Sequence, residues 1–327
     1  MGGGTIDFLI RIRSIRVDMF NAHAKQYINR DEEPEIYTGS REDDFTSMIA
    51  HVLKSSGLKT KYTKILLSDA AMVQFGIAFT TATVDPNNNY EMYELLGDVA
   101  AGHFIKWYMI RRYPVLRCTK GVKVVARLLI NYGSKKSFFE LADKMGFWPF
   151  ISATQDERDR EKKSLLEDVF EAFLGVIEYL LDDVFYETPG VGYNAVYLVM
   201  KQQFDNMTIS LRYEDLYDSK TRLKETFDRF GLSGPGNLPG LGILMYEEEE
   251  RNEGDKLATS RVYRVVGGQR VRKNTVGGHR ILMGMASAAL KAEAQQRAAE
   301  IGIDFLKTCG YYKPPPQEYS IFDEARL

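Results

Sequence analysis

Eight residues, Glu91-Met92-Tyr93-Glu94-Leu95-Leu96-Gly97-Asp98, place three carboxylates inside an otherwise apolar segment. As a helix, the stretch stacks Glu94 and Asp98 one turn apart on one face, with Glu91 one turn before Glu94. No Lys or Arg occurs between Pro86 and Ile105. Acids without local counter-charges, flanked by Leu, Val, Ala and Phe, point to a bound divalent cation. A second apolar segment, Ser164 to Ile177, carries Asp168 and Glu171 at i, i+3 spacing. Four carboxylates, Glu94, Asp98, Asp168 and Glu171, converging between two helices would form an oxygen-rich site suited to Mg²⁺ or Mn²⁺. The plainer reading is exposed acids on amphipathic helices. Leu165, Leu166, Val169 and Phe170 leave little polar face around Asp168.

Positioning such a site requires long helices, and the flanking sequence supplies them. Asp85-Pro86-Asn87-Asn88-Asn89 is a turn, and a helix follows from about Tyr90 to Arg112, closed by Tyr113-Pro114. Helical patterns also cover Phe45–Lys54, Ile65–Phe79, Val122–Tyr132, Ser137–Met145 and Gly192–Phe204, with a charged, exposed segment from Gln155 to Lys163. Ile6 to Tyr27 could form one more helix, and Asn29 to Arg41 is a polar linker. The first part of the chain is thus expected to be all-α. From Asp218 the pattern changes to a helix over Ser219–Phe230, capped by Ser219, and strands at Leu241–Tyr246, Thr259–Val266 and about Arg280–Met285. An Ala-rich helix near Ala288–Lys307 follows, giving an α-β-β-β-α unit of the α+β class. The run Glu247 to Glu250 is expected as a solvated loop, and the Pro-rich tail from Lys313 as extended and mobile.

Composition agrees with a globular protein of two domains. The 327 residues are 44% hydrophobic and 27% charged. The net charge of −2 conceals an asymmetry. Asp218 to Gly310 holds 15 Lys and Arg against 12 Asp and Glu, leaving the rest about −5. Cys118 and Cys309 have no metal-type spacing, and no signal peptide or membrane-length apolar run is visible, so a soluble, intracellular protein is expected. Gly234 to Gly240 is a linker and not a phosphate loop, because Pro239 takes the third-glycine position.

Tyr90 to Asp98 resembles the signature helix of the ribonuclease III family, close to N-E-R-L-E-F-L-G-D. Leu165 to Gly175 resembles the family's second acidic segment, L-A-D-x-x-E-A-L-I-G. Ala78 to Thr83 is similar to its A-L-T-H-x-S lead-in. Asp218 to Glu225 resembles the D-x-K-T-x-L-x-E opening of its double-stranded-RNA-binding domain. The resemblance implies a nuclease domain over 42–216 and an RNA-binding domain over 217–310, with an extension at 1–41 and a tail at 311–327. It implies that Glu94, Asp98, Asp168 and Glu171 hold the metal, and that Glu91 belongs to the valley formed by a dimer. The implied reaction is Mg²⁺-dependent hydrolysis of double-stranded RNA, in RNA processing, to 5′-phosphate and 3′-hydroxyl ends with short 3′ overhangs.

A single acidic motif pair implies a homodimer; a heterodimer with a second ribonuclease III-like subunit is a narrower alternative. A non-cleaving double-stranded-RNA-binding or ribosome-associated protein on the same fold is the alternative of a different class. Met92, Tyr90 and Thr81 stand where the family has Arg, Asn and His. Of the family's basic pair at the last helix only Lys291 survives. Basic residues gather instead at Arg261, Arg264, Arg270, Arg272, Lys273 and Arg280, and form a candidate phosphate-binding surface. Glu225 falls where the family reads the RNA minor groove.

Overall fold

The computed structural model describes residues 34–249, 257–271 and 274–322, with the side chains of 270, 271, 274–276 and 321 outside that description. The helix expected between Ile6 and Tyr27 falls outside the described residues. The chain enters as β1 (Ile36–Tyr37), paired antiparallel with the distant β2 (Ala153–Thr154). Next to it the Arg41 guanidinium donates to the carbonyls of Phe150 (2.6 Å), Gly76 (3.2 Å) and Phe79 (3.1 Å). Burial lowers its pKa to about 10, so it stays charged at neutral pH, with carbonyl dipoles in place of water. Residues expected as a polar linker are therefore built into the helical body.

Three helices follow: α1 (Asp43–Ser55), α2 (Thr60–Leu66) and α3 (Asp69–Ala78). The apolar run from Ile65 to Phe79, expected as one helix, divides at Ser68. Its side chain accepts from the Ala71 N–H at 3.3 Å, and Asp69 follows in the first turn of α3. A Ser-Asp pair satisfies and complements a helix N-terminus better than it continues a helix. The long α4 (Glu91–Arg112) ends at Tyr113, before Pro114, as expected. Then come α5 (Thr119–Tyr132), α6 (Lys135–Lys144), α7 (Gln155–Arg160), α8 (Lys162–Val184), α9 (Val191–Asp205) and the short α10 (Tyr213–Leu216). The charged segment at Gln155 is thus helical, started by a capping box between Thr154 and Glu157.

Helix α8 runs through the middle of this body, with Leu166, Val169, Phe170, Phe173, Leu174 and Ile177 inaccessible to solvent. Phe173 meets Phe147 at 5.2 Å and Phe75 at 5.4 Å, and Phe147 meets Phe79 at 5.0 Å. These rings tie α3, α8 and the loop before β2 into one core.

The second core belongs to the α+β unit. α11 (Ser219–Phe230) is capped by Asp218, whose carboxylate accepts from the Thr221 N–H at 3.0 Å, one residue before the expected cap. The strands are β3 (Ile243–Glu248), β4 (Ala258–Val266), β5 (Gln269–Val271), β6 (Asn274–Val276) and β7 (His279–Ala288), followed by α12 (Lys291–Thr308). The main sheet is antiparallel in the order β3-β4-β7, and β5 and β6 form a separate hairpin. Leu223, Phe227, Val262, Met283, Ala298 and Leu306 fill the space between the sheet and the two helices.

The tail departs from expectation. Residues Gln317–Phe322 form a 3-10 helix that packs back onto α5. Lys123 pairs with Glu318, and Lys120 donates to Ser320 at 3.3 Å. Tyr319 is buried, its ring 5.4 Å from Tyr213 and 6.1 Å from Tyr217. Nearby, Lys313 lies 2.7 Å from Glu225 of α11, and the Tyr213 hydroxyl donates to the same carboxylate. Tyrosine burial, which no local pattern announces, holds the tail down. Tyr319→Ala should cost roughly 1–3 kcal/mol and speed limited proteolysis between residues 206 and 218. Deleting 313–327 should do so more strongly, and unchanged cleavage of both would show that the tail does not secure this linker.

Candidate active site

Two glycines set the distance between α4 and α8. A Cβ on Gly97 would lie 1.7 Å from the Glu171 carbonyl oxygen, and one on Gly175 2.0 Å from that of Tyr93. Neither position has room for any side chain, so the two backbones touch. Glu94 and Asp98 flank Gly97 on α4, while Asp168 and Glu171 lie two turns and one turn before Gly175 on α8. The contact brings both acid pairs to one side of the crossing.

Burial and mutual repulsion govern the charges. Glu171 is 8% exposed. Its pKa is pushed up to about 8, first by burial and then by Asp98, Glu167, Glu94 and Asp168. Glu94, half-buried, rises to about 7 through burial, then Asp168, Glu91 and Glu167, with Lys135 pulling the other way. Asp168 rises to about 6, mainly by burial, against the opposing pull of Lys135 and of the Tyr90 hydroxyl, which donates to it at 3.1 Å. Asp98 and Glu91 are exposed. The acids therefore form one electrostatic cluster. Among the described residues, however, no three His, Cys, Asp or Glu side chains are arranged to hold one metal ion.

Two contacts in this cluster, made by Lys135 and Tyr90, were not expected from the sequence. Lys135, the first residue of α6, reaches within 2.5 Å of Glu167. Burial works against its charge, but the Glu167 hydrogen bond and the charges of Glu167, Asp168 and Glu171 outweigh that and raise its pKa. The counter-charge missing from the α4 sequence thus arrives from another helix. One local signal existed: Lys135 and Lys136 open α6, the end where a helix dipole disfavours cations. Tyr90, a departure from the family pattern, spans the two helices to Asp168. Thr81, another departure, is buried and shares a hydrogen bond of 2.7 Å with Thr83, which donates to Glu157 at 2.7 Å. Met92 (66% exposed), Leu95 (63%) and Val99 (68%) form an apolar outer face on α4 beside the acids.

In the α+β unit, the described basic candidates already have partners. Arg261 pairs with Glu249 at 3.3 Å, Arg280 with Glu247 at 3.6 Å, and Lys291 with Glu248. Arg264 is half-buried beside the Tyr311 ring. The acidic run expected as a loop instead begins inside β3, where Glu247 stands opposite Arg261. Arg272 and Lys273 lie outside the described residues, as does the Arg270 side chain. Glu225 is held by Tyr213 and Lys313.

Comparison with known proteins agrees with this architecture. Residues 91–181, spanning α4 to most of α8, match the Ribonuclease III domain model. A provisional ribonuclease 3 of Invertebrate iridescent virus 6 is 36% identical over 281 residues, covering 83% of this chain and 90% of its own. One from Frog virus 3 is also 36% identical, over 80% of this chain and 62% of its own length. The ribonuclease 3 of a Geobacillus strain is 25% identical over 69% of this chain and 78% of its own. The chain belongs to the ribonuclease III family. No helix among the described residues is long and apolar enough to cross a membrane.

Gly97→Ala or Gly175→Ala must force α4 and α8 apart, at a cost of about 1–3 kcal/mol or more. Thermal melts should show that loss, and wild-type stability in either variant would contradict the backbone contact. The raised carboxyl pKa values carry a sign. These groups bind more protons folded than unfolded, so stability falls as pH rises from their ordinary range through about 6 to 8. Without divalent cations, the melting temperature should drop between about pH 5 and pH 8. Glu171→Gln should flatten that slope, and Mn²⁺ should raise the wild-type melting temperature more at the higher pH.

Proposed function

We propose that this protein is an endoribonuclease that hydrolyses double-stranded RNA with Mg²⁺, for which Mn²⁺ can substitute. The observation that carries this reading is the pairing of two acid-bearing helices at a side-chain-free crossing, inside the segment that matches the family. Glu94, Asp98, Asp168 and Glu171 are the proposed ligands. Their chemistry fits a hard divalent cation: all the donors are oxygen, and burial and neighbouring acids raise the pKa values of Glu94, Asp168 and Glu171. What such a cation supplies is positive charge at the scissile phosphate and a more acidic water.

The chain's own side chains prepare the site. Tyr90 orients Asp168 through its hydroxyl, and Lys135 restrains the charge of Glu167 so that it does not add fully to the cluster. Glu171, with a pKa of about 8, and Glu94, about 7, hold protons near neutrality until a cation displaces them. Strand cleavage would leave 5′-phosphate and 3′-hydroxyl ends. We assign residues 42–216 to the nuclease domain and 217–310 to the RNA-binding domain, which would grip about 16 bp of A-form duplex. Arg261, Arg280 and Lys291 would meet phosphate by exchanging their carboxylate partners, joined by Arg264, Arg270, Arg272 and Lys273.

The apolar face of Met92, Leu95 and Val99 supports a homodimer, in which two sites cut opposite strands with short 3′ overhangs and Glu91 lines the shared valley. The same face could take a second ribonuclease III-like subunit, which native mass measurement of the lone protein tests. One observation favours a second reading, a duplex-RNA-binding protein that does not cleave: the carboxylates do not converge on a common point. Labelled duplex RNA decides between them. Wild type should cut it in Mg²⁺ or Mn²⁺, and Glu171→Gln should lose at least ~100-fold activity while retaining RNA binding. Wild type that binds but never cuts would leave the second reading standing.

A further inference from the structure

At the far end of α4 lies a cavity of about 710 Å³, open to solvent and walled by α4 and α9. Trp107, 45% exposed, and the rings of Tyr193 and Tyr197 are flat walls. His103 stacks on Tyr193 at 4.5 Å and 16°, extending the aromatic surface toward the acids. The Tyr193 hydroxyl is buried with no hydrogen-bond partner among the described residues, although such groups normally have one.

Charge accompanies the rings. Arg111, Arg112 and Lys201 line the cavity against one acid, Asp205. Asp205 is already engaged, pairing with Lys201 and accepting from the Tyr108 hydroxyl at 2.9 Å. Arg112 donates to the Tyr108 hydroxyl at 2.6 Å and to the Phe204 carbonyl at 3.0 Å, so it is fixed in the wall. Arg111 is exposed, lies 5.8 Å from the centre of the Tyr197 ring, and makes no ion pair with a carboxylate among the described residues.

We infer that this cavity binds a nucleotide, stacking an unpaired base on Trp107 and the tyrosines while Arg111 holds its phosphate. Aromatic faces accept any base, and an unpaired arginine beside them supplies the anion contact. The volume lies within the range of small-molecule sites. Trp107 lies nine residues beyond Asp98 on one helix, so the cavity is roughly 14 Å along α4 from the acids. One RNA strand can reach both, and the ligand assigned is an unpaired nucleotide of an RNA strand end. That assignment to RNA rests on the proposed function; the nucleotide chemistry of the cavity does not.

The chain has two tryptophans, so Trp107 fluorescence reports on the cavity, and Trp107→Phe identifies its share of the signal. The full-length protein is titrated without divalent cations against adenosine 5′-monophosphate, adenosine, a blunt RNA duplex and the same duplex with unpaired 3′ nucleotides. The overhang duplex should quench Trp107 at lower concentration than the mononucleotide, and the blunt duplex should not quench it. Arg111→Ala should weaken mononucleotide binding about tenfold and leave adenosine binding unchanged. Circular dichroism melts of both variants, altered at exposed positions, establish that they fold.

No saturable quenching by any of these probes overturns the proposal, as does equal mononucleotide binding by Arg111→Ala. Quenching by the mononucleotide but not by the overhang duplex overturns the assignment to an RNA end. Since this readout needs no cleavage, a protein that binds nucleotide here but never cuts duplex would count against the nuclease reading alone.

Discussion

Contact between the backbones of α4 and α8 at Gly97 and Gly175 is the constraint on which the rest depends. Side chains normally keep helix axes 8–10 Å apart, and here the two faces meet without any. On one side of that crossing Glu94, Asp168 and Glu171 are buried and close enough to other acids that their pKa values rise. The aromatic core of Phe75, Phe147 and Phe173 then braces α8 from behind. Apolar burial drives the helices together in a position that electrostatics alone would oppose.

That opposition is compensated from several elements. Tyr90 donates to Asp168, Lys135 answers Glu167, and the positive end of α4 lies under Glu91 and Glu94. No cation is among the groups that shift Glu171, and its pKa, about 8, is higher than those of Glu94 and Asp168. A site of this kind is destabilising in isolation and is tolerated because the surrounding core is large. Such local conflicts between charge and burial are where functional groups tend to be found.

Much of this was legible beforehand, for identifiable reasons. The acids of α4 and α8 sit in long apolar segments whose period and turn residues define helices without tertiary information. Asp218, Phe230 and the strands after it follow from equally local signals. What escaped was non-local. Lys135 comes to Glu167 from a helix separated from α8 by a loop, β2 and α7. Glu247 to Glu249 look like a solvated run until strand register sets them beside Arg261, Arg280 and Lys291. Ser68 divides an apolar stretch because a satisfied helix start outweighs continuous hydrophobicity. The docking of Tyr319 depends on a tyrosine cluster assembled from two distant parts of the chain.

The returning tail also changes what the α+β unit is free to do. A body joined by a single linker can turn about any direction, like a weight on a string. This one is attached at both ends of its chain, through Tyr217 beside Arg127 and through Glu318 beside Lys123. The Tyr213 hydroxyl on Glu225 of α11 adds a third hold away from α5, so turning the unit about its two anchorages on that helix has to break this bond.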